Sequence, residues 1–479
     1  MENNQDQILY VDLDGTLINS DLLLESFFRL LAKNFLYLFL VPFWLLQGKA
    51  NLKYQIASRI DLRADLLPFN KPLLAYLEEQ KRLGKRLILI SASNQELVNK
   101  VASHSSLFEA AIGSCPAKNI KGANKLEKIR ELSGNQPFDY AGNETADLAI
   151  WREASTAIVV NPGNALVTAV KKLGVNVVTI DSGQNLRSAL LRALRIHQWA
   201  KNLLLFLPLL LSHQLNDGRL ILLSLGGFIS FSLCASSVYL LNDLLDLEHD
   251  RQHETKCKRP FAAGDLPLGV GLVATPVLLI LAFLVAALLP WQFVLVLLGY
   301  YLLTVLYSFY LKAFAIVDVL LLASLYTTRI IAGAAAISTV PTFWLLAFSM
   351  FLFMSLAIVK RVTELDNLRN QHKQQVRGRG YSASDLEPMT MLGCASGFMA
   401  VLVFALYINA EETRVLYGTP EILWFICPLL LYLISRVWLL TNRGQLHEDP
   451  VVFFTTDHNS QIVAVLCGLL VWAATVSWF

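Results

Sequence analysis

The sequence predicts two folds in one chain. Residues 1–185 read as an α/β domain with a Rossmann-like parallel sheet and a helical cap. Residues 186–479 read as an all-α polytopic membrane bundle of about nine transmembrane helices. Three observations carry this. Between residues 8 and 182, short apolar runs alternate with helical patterns, which implies βαβ units. From Arg195 on, apolar runs of about 18–22 residues recur, each long enough to cross a hydrocarbon core of ~30 Å. The chain of 479 residues is 55% hydrophobic and 16% charged, too apolar for a soluble protein.

In chain order, Ile8–Asp12, Arg86–Ser91, Phe138–Ala141, Ala157–Asn161 and Val175–Ile180 are the expected strands, with turns at Gly84, Gly174 and Asn161-Pro162-Gly163. The start of the chain shows no basic region followed by an apolar one, so no cleaved signal peptide is expected. Phe27–Leu46 is almost entirely aromatic and aliphatic, broken by Arg29, Lys33 and Asn34; its uninterrupted part is too short to span a bilayer. It reads either as a buried cap helix or as an interfacial helix lying on a membrane. The expected spans are 199–215, 220–242, 268–289, 291–311, 315–337, 342–360, 390–409, 420–440 and 461–478. One side of them carries Arg195, Lys201, Arg251, Lys256, Lys258, Arg259, Lys312, Lys360, Arg361, Arg369, Lys373, Arg377, Arg379, Arg436 and Arg443; the other carries Arg219 and Arg414. The positive-inside rule makes the first side, and with it the N-terminal domain, cytoplasmic. A net charge of +3 gives no ground for nucleic-acid binding. The six cysteines are scattered without a CxxC pair, which reads as reduced, buried thiols.

Asp12-Leu13-Asp14-Gly15-Thr16 follows an apolar strand directly. A strand end presents both carboxylates in the crevice where parallel sheets bind ligands, and two carboxylates so spaced suit a nucleophile and a general acid/base, with Mg²⁺ between them and a phosphate. Ser91 ends the next strand, Lys125 sits at a polar helix start with Lys121 as a competitor, and Gly142-Asn143-Glu144-Thr145-Ala146-Asp147 follows a third strand. This arrangement resembles the haloacid dehalogenase-like (HAD) phosphatases over about 170 residues. The resemblance implies that Asp12 takes the phosphoryl group, Asp14 shuttles the proton, and Ser91 and Lys125 hold the phosphate. It places Mg²⁺ on Asp12, Asp14, Asn143 and Asp147. Asn143 departs from the usual Gly-Asp pattern; an amide carbonyl ligates without charge, which lowers the expected metal affinity, and a domain that kept its fold but lost activity is the other reading.

Asn242-Asp243-Leu244-Leu245-Asp246-Leu247-Glu248-His249-Asp250 continues the second span. On one helix Asp243, Asp246 and Asp250 share a face, where Mg²⁺ bridging to a diphosphate relieves their repulsion. Asp318 and Arg329 are ionisable groups inside an apolar span and should both point into the bundle, for function or as part of a structural ion pair with another helix. Lys312, Lys360 and Arg361 add phosphate-binding cations. Together with Gln198-Trp199-Ala200-Lys201-Asn202, Arg259, Tyr307-Ser308, Glu364-Leu365, Gly380-Tyr381-Ser382 and His447-Glu448-Asp449-Pro450-Val451-Val452, these strings resemble the UbiA-type prenyltransferase superfamily, in its decaprenyl-phosphate phosphoribosyltransferase branch.

That resemblance implies Mg²⁺-dependent transfer from 5-phosphoribosyl 1-diphosphate (PRPP) to a polyprenyl phosphate. Asn242, Asp243, Asp246 and Asp250 would serve the metal and diphosphate, and Lys201, Arg259, Tyr307, Lys312, Asp318, Arg329, Lys360 and Arg361 the substrates. Removal of the 5′-phosphate by the HAD domain would then yield polyprenyl-phosphoryl-ribose, a donor for cell-envelope arabinose units. The expected partners are PRPP, polyprenyl phosphate and membrane lipids; a homo-oligomer stays open. Three other readings stand beside this one. They are a prenyl-diphosphate:acceptor transferase of quinone or lipid synthesis with a regulatory or inactive HAD domain, a transporter, and an N-terminal domain that only tethers or regulates.

Overall fold

The computed structural model of the chain describes residues 7–115, 120–134, 136–183, 185–370, 380–446 and 450–476. Lys373, Arg377, Arg379, His447, Glu448 and Asp449 lie outside the described residues. Packing gathers the chain into two units, Met1–Leu194 with Tyr239–Thr275, and Arg195–Val238 with Pro276–Phe479. The acidic stretch after the second expected span therefore belongs to the first unit, beyond the 1–185 boundary drawn from sequence.

The first unit is built on six strands, β1 (Ile8–Val11), β2 (Arg86–Asn94), β3 (Ala110–Ser114), β4 (Phe138–Gly142), β5 (Thr156–Val160) and β6 (Asn176–Ile180). Their order is β3-β2-β1-β4-β5-β6, and every pair is parallel. Helices cover both faces, so β1 is buried throughout and its side chains divide between two cores. Leu9 and Val11 join Leu13 and Leu89 on one face; Ile8 and Tyr10 join Ile88, Ile90 and Tyr140 on the other. β3 was not expected: Ala-Ala-Ile-Gly-Ser has weak strand propensity and gains its pairing from β2. The chain leaves β1 toward β2 and later returns to pair β4 on β1's other side. The carboxyl ends of β1 and β4 thus flank a switch point, where open parallel sheets form their ligand crevice.

Phe27–Leu46 is not one helix. α1 (Leu22–Lys33) ends where Asn34 turns extended, and α2 (Tyr37–Leu46) and α3 (Lys49–Ala57) follow. Asp21 caps α1 by accepting from Leu24 N at 2.9 Å. α1 buries Leu22, Phe28, Leu30 and Leu31, whereas α2 buries only Trp44 and leaves Phe39 64%, Phe43 63% and Leu46 85% exposed. Burial holds for α1 and exposure for α2.

Among the described residues eight helices are long and apolar enough to cross a membrane: Gly218–Leu245, Leu268–Ala286, Trp291–Phe309, Val317–Ala336, Phe343–Arg369, Ala383–Ile408, Pro420–Asn442 and His458–Thr475. The protein is a multi-pass membrane protein. The expected first span, 199–215, is absent as such: Ile196–Phe206 is a 3₁₀ stretch and Leu207–Leu211 a short helix. A Cβ at Gly333 would lie 2.1 Å from the Leu205 carbonyl oxygen. Only glycine lets the 3₁₀ backbone press this closely onto Val317–Ala336. That contact is one the apolar run makes with its neighbour in the bundle.

Asp457 caps His458–Thr475, accepting from Ser460 N at 2.8 Å and from Arg436 at 2.6 and 2.9 Å. The hydrogen bonds from Arg436 hold its carboxyl down at about 2. The folded value lies below the ordinary 3.8, so this stabilisation is complete above that pH and is lost as pH falls toward 2. Asp457→Ala should cost about 1–2 kcal/mol and lower the thermal midpoint in detergent at pH 7. The difference from wild type should narrow as the measurement is repeated toward pH 2.

Candidate active sites

β1 delivers Asp12 into the crevice, where its backbone N–H donates to Ala141 O at 2.9 Å. Gly15 has φ +69, and a Cβ there would meet Asn143 Nδ2 at 2.3 Å, so this turn requires glycine on both counts. The turn sends the two carboxylates along separate branches. Asp12 Oδ1 lies 2.9 Å from Lys125 Nζ and accepts from Leu13 N at 2.9 Å. Lys125 also donates to Tyr140 OH (3.1 Å), which donates to Asp147 Oδ1 at 2.9 Å. Asp147 Oδ2 accepts from the N–H groups of Asn143 and Glu144 at 3.2 and 3.0 Å. On the second branch Asp14 accepts from Leu22 N (2.7 Å), Ser93 Oγ (2.8 Å) and Ser91 Oγ (3.1 Å).

Burial, with the charges of Asp21 and Asp12 added, raises Asp14 to about 7. Burial and Asp12 raise Asp147 to about 6, against the pull of Lys125. Burial works against the Lys125 ammonium, but Asp12 and Asp147 more than offset it and its pKa is raised. Lys125 is buried on Asp12, whereas its competitor Lys121 is exposed. Ser93, Tyr140 and Lys53 were missed by sequence reasoning. Tyr140 looked like one more strand residue. Lys53 Nζ reaches Ala92 O at 2.5 Å from α3, which carries no motif.

The potential metal ligands around Asp12 are carboxylate and amide oxygens, which suit a hard cation such as Mg²⁺. Among the described residues no group of three or more His, Cys, Asp or Glu forms a ready metal cage. Mg²⁺ usually takes one or two carboxylates and completes its shell with water and phosphate oxygens. Asp12 and Asp147, gathered by Lys125 and Tyr140, fit that pattern, with the Asn143 carbonyl oxygen accepting from Thr16 Oγ1 at 3.1 Å beside them.

The acidic stretch is not one unbroken helix. Gly218–Leu245 ends after Asn242 and Asp243; Asp246 breaks the regular geometry and Leu247–Gln252 begins after it. Backbone bonds still run through the bend, from Asp246 N to Asn242 O (2.9 Å) and from Asp250 N to Asp246 O (2.8 Å). Asp243 and Asp250 are buried, and Arg259 NH1 reaches both, at 3.0 and 2.7 Å. Burial raises the Asp250 carboxyl, opposed by Arg259. Asp243 and Asp250 offer carboxylate oxygens, the donor type that suits Mg²⁺.

In the second unit, Asp318 and Arg329 both face the interior of the bundle but take different partners. Asp318 Oδ2 lies 2.5 Å from Arg361 Nε, and Oδ1 accepts from Tyr307 OH at 2.6 Å. Arg361 also meets Glu364 at 2.5 Å. The ion pair with another helix is thus what the fold makes of Asp318, and Arg361 is engaged in it. Arg329 donates to Asn202 Oδ1 at 3.0 Å and lies over the Tyr326 ring, 5.0 Å from its centroid. Asn202 donates in turn to Ser232 Oγ at 2.9 Å, and Lys201 Nζ lies 5.8 Å from the Tyr326 ring centroid. The 3₁₀ stretch pressed on Gly333 thus carries Lys201 and Asn202 to Arg329. Lys312 sits in the turn Leu311–Ala313 and Lys360 late in Phe343–Arg369, both half-buried. Tyr326, Tyr300 and Asn202 carried no sequence signal beyond their place in apolar or motif strings.

The described residues thus combine a parallel α/β domain with a carboxylate-lined strand end and a multi-pass helical bundle with buried cations. The UbiA prenyltransferase family model matches residues 203–459, and the chain belongs to that family. The chain is 36% identical over 464 residues to the uncharacterized protein y4nM of Sinorhizobium fredii, covering 96% of this chain and 89% of the relative. It is 34% identical to the nodulation protein NoeC of Azorhizobium caulinodans over 276 residues, 57% of this chain and 89% of the relative. It is 35% identical to the decaprenyl-phosphate phosphoribosyltransferase of Mycobacterium tuberculosis over 299 residues, 61% of this chain and 94% of the relative.

The Asp318–Arg361 pair makes a sharp test of structural against substrate-binding roles. Arg361→Gln strands a buried carboxylate and should destabilise the protein by about 3–5 kcal/mol. The double change Asp318→Leu with Arg361→Met should recover most of that in thermal unfolding. If the double variant folds and turns over normally, neither residue contacts substrate.

Proposed function

We propose that the chain transfers 5-phosphoribose from PRPP to a polyprenyl phosphate such as decaprenyl phosphate, releasing diphosphate. The HAD-like phosphatase domain, residues 1–185, then removes the 5′-phosphate to give polyprenyl-phosphoryl-ribose for cell-envelope arabinan synthesis; residues 186–479 form the transferase domain. The supporting observation is one chain that combines 35% identity along 94% of a decaprenyl-phosphate phosphoribosyltransferase with Asp12, Asp14 and Lys125 gathered at a strand end. The loop charges favour a cytoplasmic position in the plasma membrane for both sets of residues.

In the transfer step, the bond from ribose C1 to the leaving diphosphate breaks and a lipid phosphate oxygen bonds to C1. The lipid phosphate is already ionised, so no strong base is needed. Asn242, Asp243, Asp246 and Asp250 would hold Mg²⁺ here, and Asp12, Asp14, Asn143 and Asp147 in the phosphatase; the ion supplies positive charge to phosphate oxygens at both sites. Arg259, which spans Asp243 and Asp250, adds cationic charge beside them. Lys201, Lys312, Arg329 and Lys360 are the cations that hold phosphate groups. Asp318, Tyr307 and Arg361 act by positioning, since Asp318 and Arg361 satisfy each other's charge and Tyr307 donates to Asp318.

In the second step Asp12 attacks phosphorus and the 5′ oxygen leaves. Asp14 donates the proton to that oxygen and takes one from the water that later hydrolyses the aspartyl phosphate. A carboxyl near 7 suits both tasks at neutral pH. Lys125 and Ser91 hold the phosphate oxygens.

Purified protein given PRPP, Mg²⁺ and a polyprenyl phosphate should yield ribosylated lipid by mass spectrometry. Asp12→Asn should accumulate the 5′-phosphate form, and Asp243→Asn should lower transfer by at least about a hundredfold. Unchanged 5′-phosphate removal by Asp12→Asn would sink the two-step reading. Diphosphate release from a prenyl diphosphate with PRPP untouched would move the chain to prenyl transfer.

A further inference from the structure

A cavity of about 400 Å³ opens in the first unit, walled by α1, by the residues following α3, and by residues 244–251 of the acidic stretch. Its floor is apolar, with Leu62, Leu67, Leu244 and Leu247 all buried. Its rim is cationic, carrying Arg29, Lys33, Arg59, Arg63 and Arg251. Three of these already have carboxylates. Glu25 takes Arg251 at 2.6 Å, Glu248 takes Arg29 at 3.2 Å, and Asp65 takes Arg63 at 2.7 Å. Asp61, the third acid of the lining, pairs with Lys100 at 2.7 Å. Lys33 and Arg59 meet only neutral groups: Lys33 Nζ donates to Arg59 O at 3.4 Å, and Arg59 NH1 to Gln55 O at 2.7 Å and Ser58 Oγ at 3.2 Å.

Two cations without a counter-charge above a leucine floor match an anion attached to an apolar chain. The rim also continues into a surface of the same character. The Arg59 guanidinium lies 4.9 Å from the centroid of the Trp44 ring, and Trp44 is the one side chain that α2 buries. The rest of α2 presents Phe39, Phe43 and Leu46 outward, in a chain that is itself embedded in a bilayer. A short, wholly apolar, exposed helix flanked by Arg29, Lys33, Lys49 and Lys53 has the composition of an interfacial helix on an anionic membrane.

We infer that this cavity binds the phosphate head of a polyprenyl phosphate lipid, held by Lys33 and Arg59, with the isoprenoid chain leaving over the apolar face of α2. The inference rests on the proposed function for the identity of the lipid, and it adds a site outside both carboxylate clusters. Free PRPP and inorganic phosphate share the charge but lack the chain, so they should not fill the leucine floor.

The test uses full-length protein in nanodiscs with a polyprenyl phosphate whose photoreactive group sits on the isoprene unit next to the phosphate, without PRPP, and maps labelled peptides by mass spectrometry. Labelling should fall on residues 59–67 and 244–251 and be displaced by unlabelled lipid but not by PRPP or inorganic phosphate. The double change Lys33→Ala with Arg59→Ala should reduce it about tenfold, the equivalent of one charge-assisted contact. Arg59→Lys, which keeps the charge and the stack on Trp44, should retain most of it. Labelling elsewhere, equal displacement by inorganic phosphate, or indifference to the double change would overturn the inference. Product analysis with PRPP runs in parallel. Ribosylated lipid formed with an unlabelled cavity sinks the cavity alone, whereas a labelled cavity with PRPP untouched keeps the lipid site and sinks the phosphoribosyl assignment.

Discussion

A carboxylate taken out of water must meet a cation or several hydrogen-bond donors, or it gives up its charge. That constraint runs through both units. Asp12 meets Lys125, Glu25 meets Arg251, Asp139 meets Lys85, Asp318 meets Arg361, and Asp243 and Asp250 share Arg259. Asp147 instead collects the Tyr140 hydroxyl and two backbone N–H groups. Helices and strands are held in register by these matches as much as by their apolar faces. Removing one partner leaves a charge that the surroundings cannot solvate.

The matches differ in how far solvent reaches them, and this separates structural pairs from exchangeable ones. Arg361 and Asp318 are 2% and 0% exposed, so neither can leave the other without unfolding part of the bundle. Arg259 is 27% exposed while the carboxylates it spans are nearly buried. A side chain so placed stays open to solvent while it holds two carboxylates that are not. Lys125 differs again. Buried beside Asp12, it keeps its charge because Asp12 and Asp147 more than offset the cost of burial. The same ion-pair chemistry thus occurs at three depths of burial.

Much of this was legible in the residues. The strand before Asp12 and the Asp-x-Asp-Gly-Thr string located the carboxylate-lined crevice, because a strand end and a glycine turn constrain side-chain direction locally. Asp318 and Arg329 stood out because charge is rare in apolar helices. What stayed hidden depends on contacts distant in sequence. β3 has no propensity of its own. The run 199–215 has the hydropathy of a span, and only the glycine at 333, more than a hundred residues away, shows why it packs as a 3₁₀ stretch. Tyr140 and Asn202 look ordinary until Lys125 and Arg329 are seen to reach them. The break at Asp246 is a local departure from helical dihedrals that the spacing of aspartates did not reveal.

Within the first unit the two carboxylate clusters are joined by a short chain of bonds. The first N–H of α1, from Leu22, holds Asp14. One turn on, Glu25 accepts Ser20 Oγ at 2.5 Å and takes both arms of Arg251 at 3.0 and 2.6 Å. Arg251 follows Asp250 directly and also donates to Ala262 O at 2.9 Å, three residues past the arginine that spans Asp243 and Asp250. Nearly every link is a charge-assisted or backbone hydrogen bond between buried groups, the kind of contact that has few alternative geometries. A helix whose first N–H holds Asp14 and whose Glu25 holds Arg251 ties the two clusters together within one unit. α1 thus carries contacts to both carboxylate clusters of the first unit.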